Sequence, residues 1–221
     1  MHQYSIIVIN NSTNTTDFCV YQKNSDKNLE SLAWLTKRAH PDTRLVFKWQ
    51  DTYCFFWSET GTLSSGTICV ASQICPAELS TSNQIRLEYT DGAYQFMDQQ
   101  KGSTNQYFYV IQDDSIPANK VSVGIGMSEI GTFIRQGQPN LTYDFLPEHE
   151  YWITFGNYTE GQVLDTNTIN NAIQIIFPTN VYSMTVILEK DNTWKTETTS
   201  IVNEKFLAAR KRSRGAIWGD I

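Results

Sequence analysis

The stretch that decides the fold is Gln84-Ile85-Arg86-Leu87-Glu88-Tyr89, in which apolar and polar residues alternate. Successive side chains of an extended chain point to opposite faces, so Ile85 and Leu87 share one face and the charged residues share the other. The same alternation runs through Thr43-Arg44-Leu45-Val46-Phe47-Lys48-Trp49. A period of two predicts β-strands with one face turned to a hydrophobic core.

Further strands are predicted on both sides of these stretches. Apolar runs that indicate strands covered on both faces lie at residues 4–9, 18–21, 53–57 and 182–188. Other strand patterns lie near residues 67–74, 106–112, 121–127, 131–136, 151–156 and 173–177. Turn residues such as Asp91-Gly92 separate them at short intervals. This pattern predicts an all-β fold, with one large β-sandwich domain of the Ig-like or jelly-roll-like kind over residues 1–202.

Two segments depart from the strand pattern. A single helical turn is predicted within residues 25–38, before Trp34. In residues 203–221, Asn203 is a suitable N-cap and Glu204 follows it, while basic residues and Gly215 come at the end. We therefore predict a short C-terminal helical tail outside the sandwich.

The distribution of charge is uneven along the chain. The 221 residues have a formal net charge of −6 at pH 7. Residues 203–221 contain five basic and two acidic residues and so carry +3, which leaves −9 on the rest. Because an acidic body lacks the basic face that displaces counterions from phosphates, we expect no nucleic-acid partner. The asymmetry instead indicates a basic tail that can act as a docking arm.

The sequence contains no recognisable motif for catalysis, a cofactor or a metal. The residues around Ser128 lack the spacing of a nucleophile elbow, and Gly124-Ile125-Gly126 lacks the third glycine of the dinucleotide fingerprint. We interpret these glycines as allowing a neighbouring backbone or ring to approach closely. Carboxylate pairs for glycoside hydrolysis cannot be matched from sequence, and a hydrolase is the least favoured alternative. We expect a protein that is not an enzyme and has no cofactor or metal.

The cysteines and the N-terminus bear on where the protein resides. Cys19, Cys54 and Cys69 lie in strand-like runs, and no Cys-x-x-Cys pair occurs, which favours free core thiols over a disulfide or metal site. The N-terminus lacks the basic and apolar segments of a signal peptide. No apolar run approaches the roughly 20 residues of a membrane span. We expect a cytoplasmic protein with no transmembrane segment.

Aromatic residues make up 13% of the chain and concentrate near residues 47–57 and 151–155. Buried rings would fill the core of a large sandwich, which is the favoured interpretation, whereas exposed rings could stack on sugars or meet a membrane surface. For that alternative, the candidate ligand-binding residues are Trp49, Trp57 and Trp152.

Several strings, taken in order, resemble the family of bacterial and fungal proteins related to the rhizosphere-expressed protein RhiA. They lie at residues 18–22, 32–34, 56–61, 121–127, 138–140, 151–156 and 181–185, for example Phe18-Cys19-Val20-Tyr21-Gln22, Phe56-Trp57-Ser58-Glu59-Thr60-Gly61 and Tyr151-Trp152-Ile153-Thr154-Phe155-Gly156. The similarity spans roughly Tyr4 to Trp194 and leaves residues 203–221 outside. It implies a small soluble protein without an assigned reaction, cofactor or catalytic residue.

Two hypotheses of function follow from the sequence. The leading one is a non-enzymatic structural protein that self-assembles into a homo-oligomer or polymer, with its basic tail docked on a neighbouring acidic subunit. The candidate assembly residues are Arg210, Lys211, Arg212, Arg214, Ile217 and Trp218. The alternative is a module that binds a carbohydrate or a membrane surface through exposed aromatic rings.

Overall fold

The structure, a computed structural model, describes residues 2–24, 26 and 28–217. Within these residues the chain forms eighteen strands and one helix. The predicted all-β class and the C-terminal helix are confirmed. In chain order the elements are β1 (Gln3–Asn10), β2 (Thr16–Gln22), β3 (Glu30–Leu32), β4 (Leu35–Ala39), β5 (Thr43–Gln50), β6 (Tyr53–Ser58), β7 (Gln73–Ala77), β8 (Gln84–Thr90), β9 (Ala93–Gln100), β10 (Phe108–Gln112), β11 (Ser122–Met127), β12 (Ile130–Gln136), β13 (Thr142–Phe145), β14 (Tyr151–Gly156), β15 (Val163–Leu164), β16 (Ile173–Ile175), β17 (Ser183–Leu188), β18 (Trp194–Thr198) and α1 (Thr199–Ile217).

The chain divides into two compact units. The first contains residues 16–38 and 49–176, and the second contains residues 2–15, 39–48 and the chain from residue 177 onward. The strands form four sheets: β15-β3-β12-β11-β6-β7, β13-β10-β8-β9, β16-β14-β2-β4 and β18-β17-β1-β5. Most neighbours are antiparallel, but β8 and β10 run parallel, as do β1 and β17. A domain boundary at residue 203 stays a prediction.

Within the first unit, two of these sheets form a β-sandwich, whereas the sequence analysis predicted one large sandwich over residues 1–202. The six-stranded sheet and the sheet β13-β10-β8-β9 share one hydrophobic core cluster. Ile85 and Leu87 belong to this cluster, so the alternation in β8 does turn its apolar face inward. The turn from β8 to β9 has positive φ at Asp91 (53°) and at Gly92 (82°). These values suit the short hairpin turn predicted there.

The other face of the six-stranded sheet is also buried around β6, so this interior strand is apolar on both sides. Phe56 is fully buried in a second cluster with Leu32, Ile134 and Val163. A Cβ added at Gly131 would lie 2.7 Å from the Phe56 ring, and one added at Gly124 would lie 2.6 Å from it. The interpretation of the strand glycines as points of close approach is therefore confirmed.

The remaining sheet of the first unit is built on β2 and β14. Cys19 and Tyr21 of β2 are fully buried in a cluster with Ala33 and Leu164, and Trp152 packs against it. The predicted helical turn within residues 25–38 is wrong for the described part of that segment, which contains β3 and β4 instead. The reason is tertiary: β3 pairs with β12 and β15, which lie about 100 residues or more further along the chain.

The second unit contains the sheet β18-β17-β1-β5 and the helix. The helix α1 begins at Thr199, four residues before the predicted cap. The Ser183 hydroxyl donates a hydrogen bond to the Thr199 hydroxyl oxygen at 2.9 Å, which fixes the start of the helix against β17. Lys205 pairs with Glu197 of β18 at 2.5 Å. In the part of the chain that is described, no helix is long and apolar enough to cross a membrane.

The packing of Phe56 on glycine leads to a prediction about stability. Gly131→Ala should lower the free energy of unfolding by about 1–3 kcal/mol, because the new methyl group overpacks the Phe56 ring. In a Phe56→Leu background, Gly131→Ala should lower the free energy of unfolding by less, because the three atoms nearest to the added methyl group all belong to side chains. Urea unfolding of the four proteins in this double-mutant cycle measures the difference.

Gly124→Ala is the matched control for that cycle. A Cβ at this position would also collide with the backbone oxygen of Phe133, which cannot move as a side chain can. The loss of stability caused by Gly124→Ala should therefore persist in the Phe56→Leu background. An equal cost of Gly131→Ala in both backgrounds would contradict the proposed packing.

Candidate functional site

The three tryptophans predicted to bind a ligand occupy different environments. Trp49 is 2% exposed and packs edge-on against Trp34, with ring centroids 5.2 Å apart. Trp57 is 6% exposed, and its Nε1–H donates a hydrogen bond to Gln73 at 2.9 Å. Both rings therefore belong to the core, where they cannot stack on a sugar without rearrangement.

Trp152 is half-buried and lies at the surface of the β2–β14 sheet. The Lys23 ammonium nitrogen lies 4.4 Å from the centre of its ring, a cation–π contact that covers part of the aromatic face. Trp152 pairs with Tyr21 across the two strands, so the two rings share a face of the sheet. The structure thus brings Trp152 together with Tyr21 and Lys23, and with neither of the other two tryptophans predicted to bind a ligand.

The residues predicted to mediate assembly fall at the C-terminal end of the chain. Arg210, Lys211, Arg212, Arg214 and Ile217 lie in the last turns of α1. Trp218 lies outside the described residues. Earlier in the helix, Phe206 is 66% exposed and Leu207 is also exposed. The helix therefore presents large apolar side chains to solvent directly before its basic segment.

An apolar groove lies beside the six-stranded sheet; we call it the glutamate groove. It has a volume of about 280 Å³ and is lined by Leu32, Phe56, Cys69, Val70, Ala71, Ile74, Glu129, Ile130, Gly131, Glu160 and Gly161. Val70 is 71% exposed, and Ile74 is also exposed. The two glutamates provide the acidic groups of the groove, and burial raises the pKa of Glu160. An apolar floor with two carboxylates suits an apolar partner that carries positive charge.

Two turns fix the positions of Glu129 and Glu160 at the glutamate groove. Ser128 and Glu129 both have positive φ, 54° and 64°, in the two-residue turn between β11 and β12. This conformation suits the twist of a hairpin and puts Glu129 at its tip. Glu160 precedes Gly161, whose N–H donates to the Ala33 carbonyl oxygen at 2.9 Å, and the Cys69 N–H donates to the Gly161 carbonyl oxygen at 2.9 Å. These bonds hold the Glu160 turn against both β3 and the segment that contains Val70.

A second concave region, the oxygen-rich cleft, lies along β3 and β15. It has a volume of about 660 Å³ and is lined by Asn24, Asp26, Leu29, Glu30, Ser31, Ser65, Leu164, Asp165, Thr166 and Asn167. Asp26 forms an ion pair with Arg135. Burial, with the nearby Asp165 carboxylate as the smaller cause, raises the pKa of Glu30. The cleft is thus lined by side-chain carboxylates, hydroxyls and amides, whereas Leu29 and Leu164 belong to buried core clusters.

Of the four cysteines, Cys69 lines the glutamate groove. All four are free thiols, and Cys19, Cys54 and Cys69 are buried. Burial raises the pKa of Cys54 to about 12 and that of Cys69 to about 11, which keeps both thiols protonated at neutral pH. Because the thiolate is the nucleophile, neither residue is suited to attack a substrate.

Comparison with known proteins agrees with the resemblance noted in the sequence. A family model described as RhiA matches residues 1–199. The chain is 34% identical to Protein RhiA of Rhizobium leguminosarum bv. viciae over 197 residues, which cover 87% of this chain and 85% of the relative. The chain belongs to the RhiA family. No solved structure matches it.

The family match covers some of these features and not others. The glutamate groove and the oxygen-rich cleft both lie within residues 1–199, the part of the chain matched to RhiA. Of helix α1, only Thr199 lies within that part. The family description carries no catalytic residue or ligand to either region.

Sequence reasoning missed most residues of the groove and the cleft. The sequence offers no partner for Glu160 among its carboxylates, and Glu30, Ser31 and Asp165 carry no signal of a site. They come together because β3 pairs with β15, which is more than 130 residues later. A three-residue strand has too few positions for its alternation to be recognised from sequence.

The environment of Glu30 leads to a prediction about pH. Glu30→Gln should raise the free energy of unfolding of this RhiA-family protein at neutral pH, with no gain at acid pH. A carboxyl whose pKa is raised by folding favours its protonated form, so stability falls as pH rises above the ordinary glutamate value. Urea unfolding between about pH 4 and pH 8 measures this difference.

Glu59→Gln, at an exposed position, is the control and should follow the wild-type profile. Asp165→Asn should lower the pKa of Glu30, because it removes the nearby negative charge. A gain from Glu30→Gln that is the same at every pH would contradict the assignment.

Proposed function

We propose that this RhiA-family protein is a non-enzymatic structural protein that self-assembles. In this proposal, α1 of one copy docks in the glutamate groove of a second copy. The single observation that carries the proposal is the match between an exposed apolar and basic helix and an apolar groove with two carboxylates. A protein–protein contact of this kind needs apolar burial for affinity and complementary charge for selection of the partner.

The apolar part of the match involves side chains that are exposed on both sides. Phe206 and Leu207 of α1 are more than half exposed, and so is Val70 of the groove. Burying such side chains contributes about 25 cal/mol per Å² of apolar surface removed from water. Aromatic side chains are also prominent among the residues that dominate interface energies. Phe206 is therefore the proposed anchor of the docked helix.

The electrostatic part of the match involves the end of the helix. Five basic residues lie within positions 203–221, against a net charge of −9 on the rest of the chain. Glu129 and Glu160 would meet these cations at the groove. Long-range attraction between opposite charges accelerates association, and added salt weakens it.

The geometry of such a contact determines the kind of assembly. The helix and the groove are different surfaces, so each copy offers one and receives the other. Head-to-tail contacts of this type give closed rings when the rotation between copies closes, and open filaments when it does not. The proposal therefore allows a homo-oligomer or a polymer.

The alternative function, binding of a carbohydrate or a membrane surface through exposed aromatic rings, has less support. Of its three candidate residues, Trp49 and Trp57 are buried, and Lys23 covers part of the Trp152 face. The assembly proposal uses Phe206, Leu207 and Val70, which are exposed as they stand. Self-assembly is therefore the better supported proposal, and binding of a carbohydrate or membrane surface is one outcome of the test below.

A charge-swap experiment tests the electrostatic part of the proposal. In one variant, Arg210, Lys211, Arg212 and Arg214 are replaced by Glu; in the other, Glu129 and Glu160 are replaced by Lys. Each variant alone should shift from oligomer to monomer, because like charges then face each other across the contact. Mixing the two should restore association, since the native helix of one variant meets the native groove of the other, and the reversed surfaces also match. Light scattering coupled to size-exclusion chromatography measures the masses.

The double variant Arg44→Glu and Lys48→Glu is the matched control for loss of positive charge. Both residues are exposed on β5, outside the proposed contact, so the oligomer should persist. A wild-type protein of about 25 kDa at every concentration would overturn the assembly proposal and direct attention to Trp152.

A second experiment tests the apolar part. Val70→Lys should weaken self-association by about tenfold or more, because it places a cation where the basic helix docks. Ile176→Lys is the matched control, since Ile176 is 69% exposed and lies outside the groove. Concentration-dependent sedimentation measures both, and an equal effect of the two changes would contradict the docking site.

A further inference from the structure

The outer face of the sheet β13-β10-β8-β9 is a surface that the proposed assembly does not use. Alternate residues of these strands enter the sandwich core, among them Ile85, Val110 and Phe145. The residues between them therefore point away from the core. We call this surface the Tyr109 face, and it contains half-buried or exposed side chains, namely Gln84, Arg86, Glu88, Gln100, Tyr109 and Asp144.

One row of the Tyr109 face crosses all four strands. Tyr109 of β10 lies opposite Asp144 of β13 on one side and opposite Gln84 of β8 on the other. Gln84 in turn lies opposite Gln100 of β9. Because neighbouring strands are about 4.8 Å apart, the row is about 14 Å long. It places one aromatic ring between a carboxylate and two amides.

The Tyr109 ring is held in position from one side. Its hydroxyl shares a hydrogen bond with the Thr104 hydroxyl, with the two oxygens 2.9 Å apart. A Cβ at Gly102 would lie 2.6 Å from Cδ2 of the ring, so a larger residue there would displace it. The ring is half-buried, which leaves part of it accessible. A ring that is fixed before binding loses little conformational entropy when a ligand stacks on it.

A buried amide fixes the loop that carries Gly102 and Thr104. Asn83 is fully buried, and its side-chain nitrogen donates to the carbonyl oxygens of Thr104 and Tyr107 at 2.6 and 2.7 Å. Its side-chain oxygen accepts a hydrogen bond from the Gly102 N–H at 2.8 Å. The sandwich itself therefore determines where the Tyr109 ring lies, which favours a preformed site.

The charges of the Tyr109 face favour a neutral partner. The Arg86 guanidinium forms ion pairs with Glu88, at 2.6 Å, and with Asp98. Its positive charge is therefore already neutralised by its neighbours, and a polyanion would gain little from it. Asp144 adds a negative charge at one end of the row, which would repel a polyanion.

The side chains of the row match the groups of a sugar chain. Pyranose rings have C–H faces that pack against aromatic rings, and hydroxyl groups that both donate and accept hydrogen bonds. Asp144 can accept from these hydroxyls, and the Gln84 and Gln100 amides can do both. An apolar protein surface would instead leave the carboxylate and the amides without partners.

We propose that the Tyr109 face binds a neutral oligosaccharide that crosses the four strands. One pyranose ring stacks on Tyr109, and hydroxyl groups along the chain bond to Asp144, Gln84 and Gln100. This site contains none of the three tryptophans predicted to bind a ligand, and none of its residues lines the glutamate groove. The proposal therefore does not depend on self-assembly.

Titration of the full-length protein with neutral hexasaccharides tests the site, by calorimetry and by ligand-observed NMR. The probes are cellohexaose, xylohexaose and mannohexaose, and we expect at least one to bind with a dissociation constant below about 1 mM. Glucose covers only a part of the row and should bind at least about tenfold more weakly. Hexagalacturonate, which carries a carboxylate on each ring, should also bind more weakly.

Variants locate the site on the sheet. Tyr109→Ala should weaken binding of the tightest hexasaccharide by about tenfold or more, and Asp144→Ala by about threefold to tenfold. Tyr182→Ala is the matched control, because Tyr182 is also a half-buried tyrosine but lies in the second unit. It should leave the affinity unchanged. Thermal unfolding checks that each variant is folded.

Gly102→Ala tests whether the position of the ring matters. The added methyl group should displace the Tyr109 ring and so weaken sugar binding. In a Tyr109→Ala background, Gly102→Ala should have no further effect on the affinity, because the ring that it displaces is gone. An equal loss of affinity in both backgrounds would contradict a role for Gly102 in positioning the ring.

Several results would overturn the proposal. They are no binding of the three hexasaccharides up to about 10 mM, equal binding of hexagalacturonate, and an affinity that Tyr109→Ala leaves unchanged. An oligomer that dissociates in Tyr109→Ala, without any sugar binding, would show a contact between copies instead. These tests measure sugar affinity, whereas the charge swap measures mass, so the two proposals fail separately.

Discussion

The structure of the first unit depends on a sheet that must be apolar on both faces. Strand β6 lies between β11 and β7, with the sandwich core on one side and the cluster around Phe56 on the other. A strand in this position cannot alternate polar and apolar residues, and Tyr53–Ser58 does not. The Phe56 ring fits because Gly124 and Gly131 on the neighbouring strands have no Cβ beneath it. Packing at this point fixes how closely β6, β11 and β12 approach one another.

The two concave regions follow from that sheet. The glutamate groove lies on the Phe56 side, where the β11–β12 turn and the Glu160 turn carry carboxylates beside an incompletely covered apolar surface. The oxygen-rich cleft lies where the sheet ends in the short strands β3 and β15. Short edge strands leave backbone and side-chain oxygens unpaired, and in a monomer such groups meet solvent or a ligand.

The charge of the chain adds a second constraint. A strongly acidic body repels itself, whereas in the proposed assembly the basic segment at one end would give each copy a complementary surface for another. The helix α1 continues directly from β18, and its first residue bonds to β17, so the basic segment is attached to the second unit through a regular element. A helix attached in this way loses less conformational entropy on docking than a disordered tail would.

The sequence by itself determined the elements whose signal is local. Alternation in β8 predicted its buried face, Asp91-Gly92 predicted a hairpin turn, and the order of Asn203, the basic residues and Gly215 predicted a terminal helix. Aromatic residues were also predicted to fill the core, which holds for Trp49 and Trp57. Each of these inferences needs a few neighbouring residues, because side-chain direction and backbone propensity act over that distance.

The tertiary structure alone decided what is brought together from distant parts of the chain. Glu30 and Ser31 meet Asp165 through the pairing of β3 with β15, and the segment containing Val70 meets Glu160 through hydrogen bonds between loops. The same long-range pairing turned residues 30–32 into a strand where a helical turn was predicted. Pairing between remote strands depends on the packing of the whole sheet, so no local pattern records it.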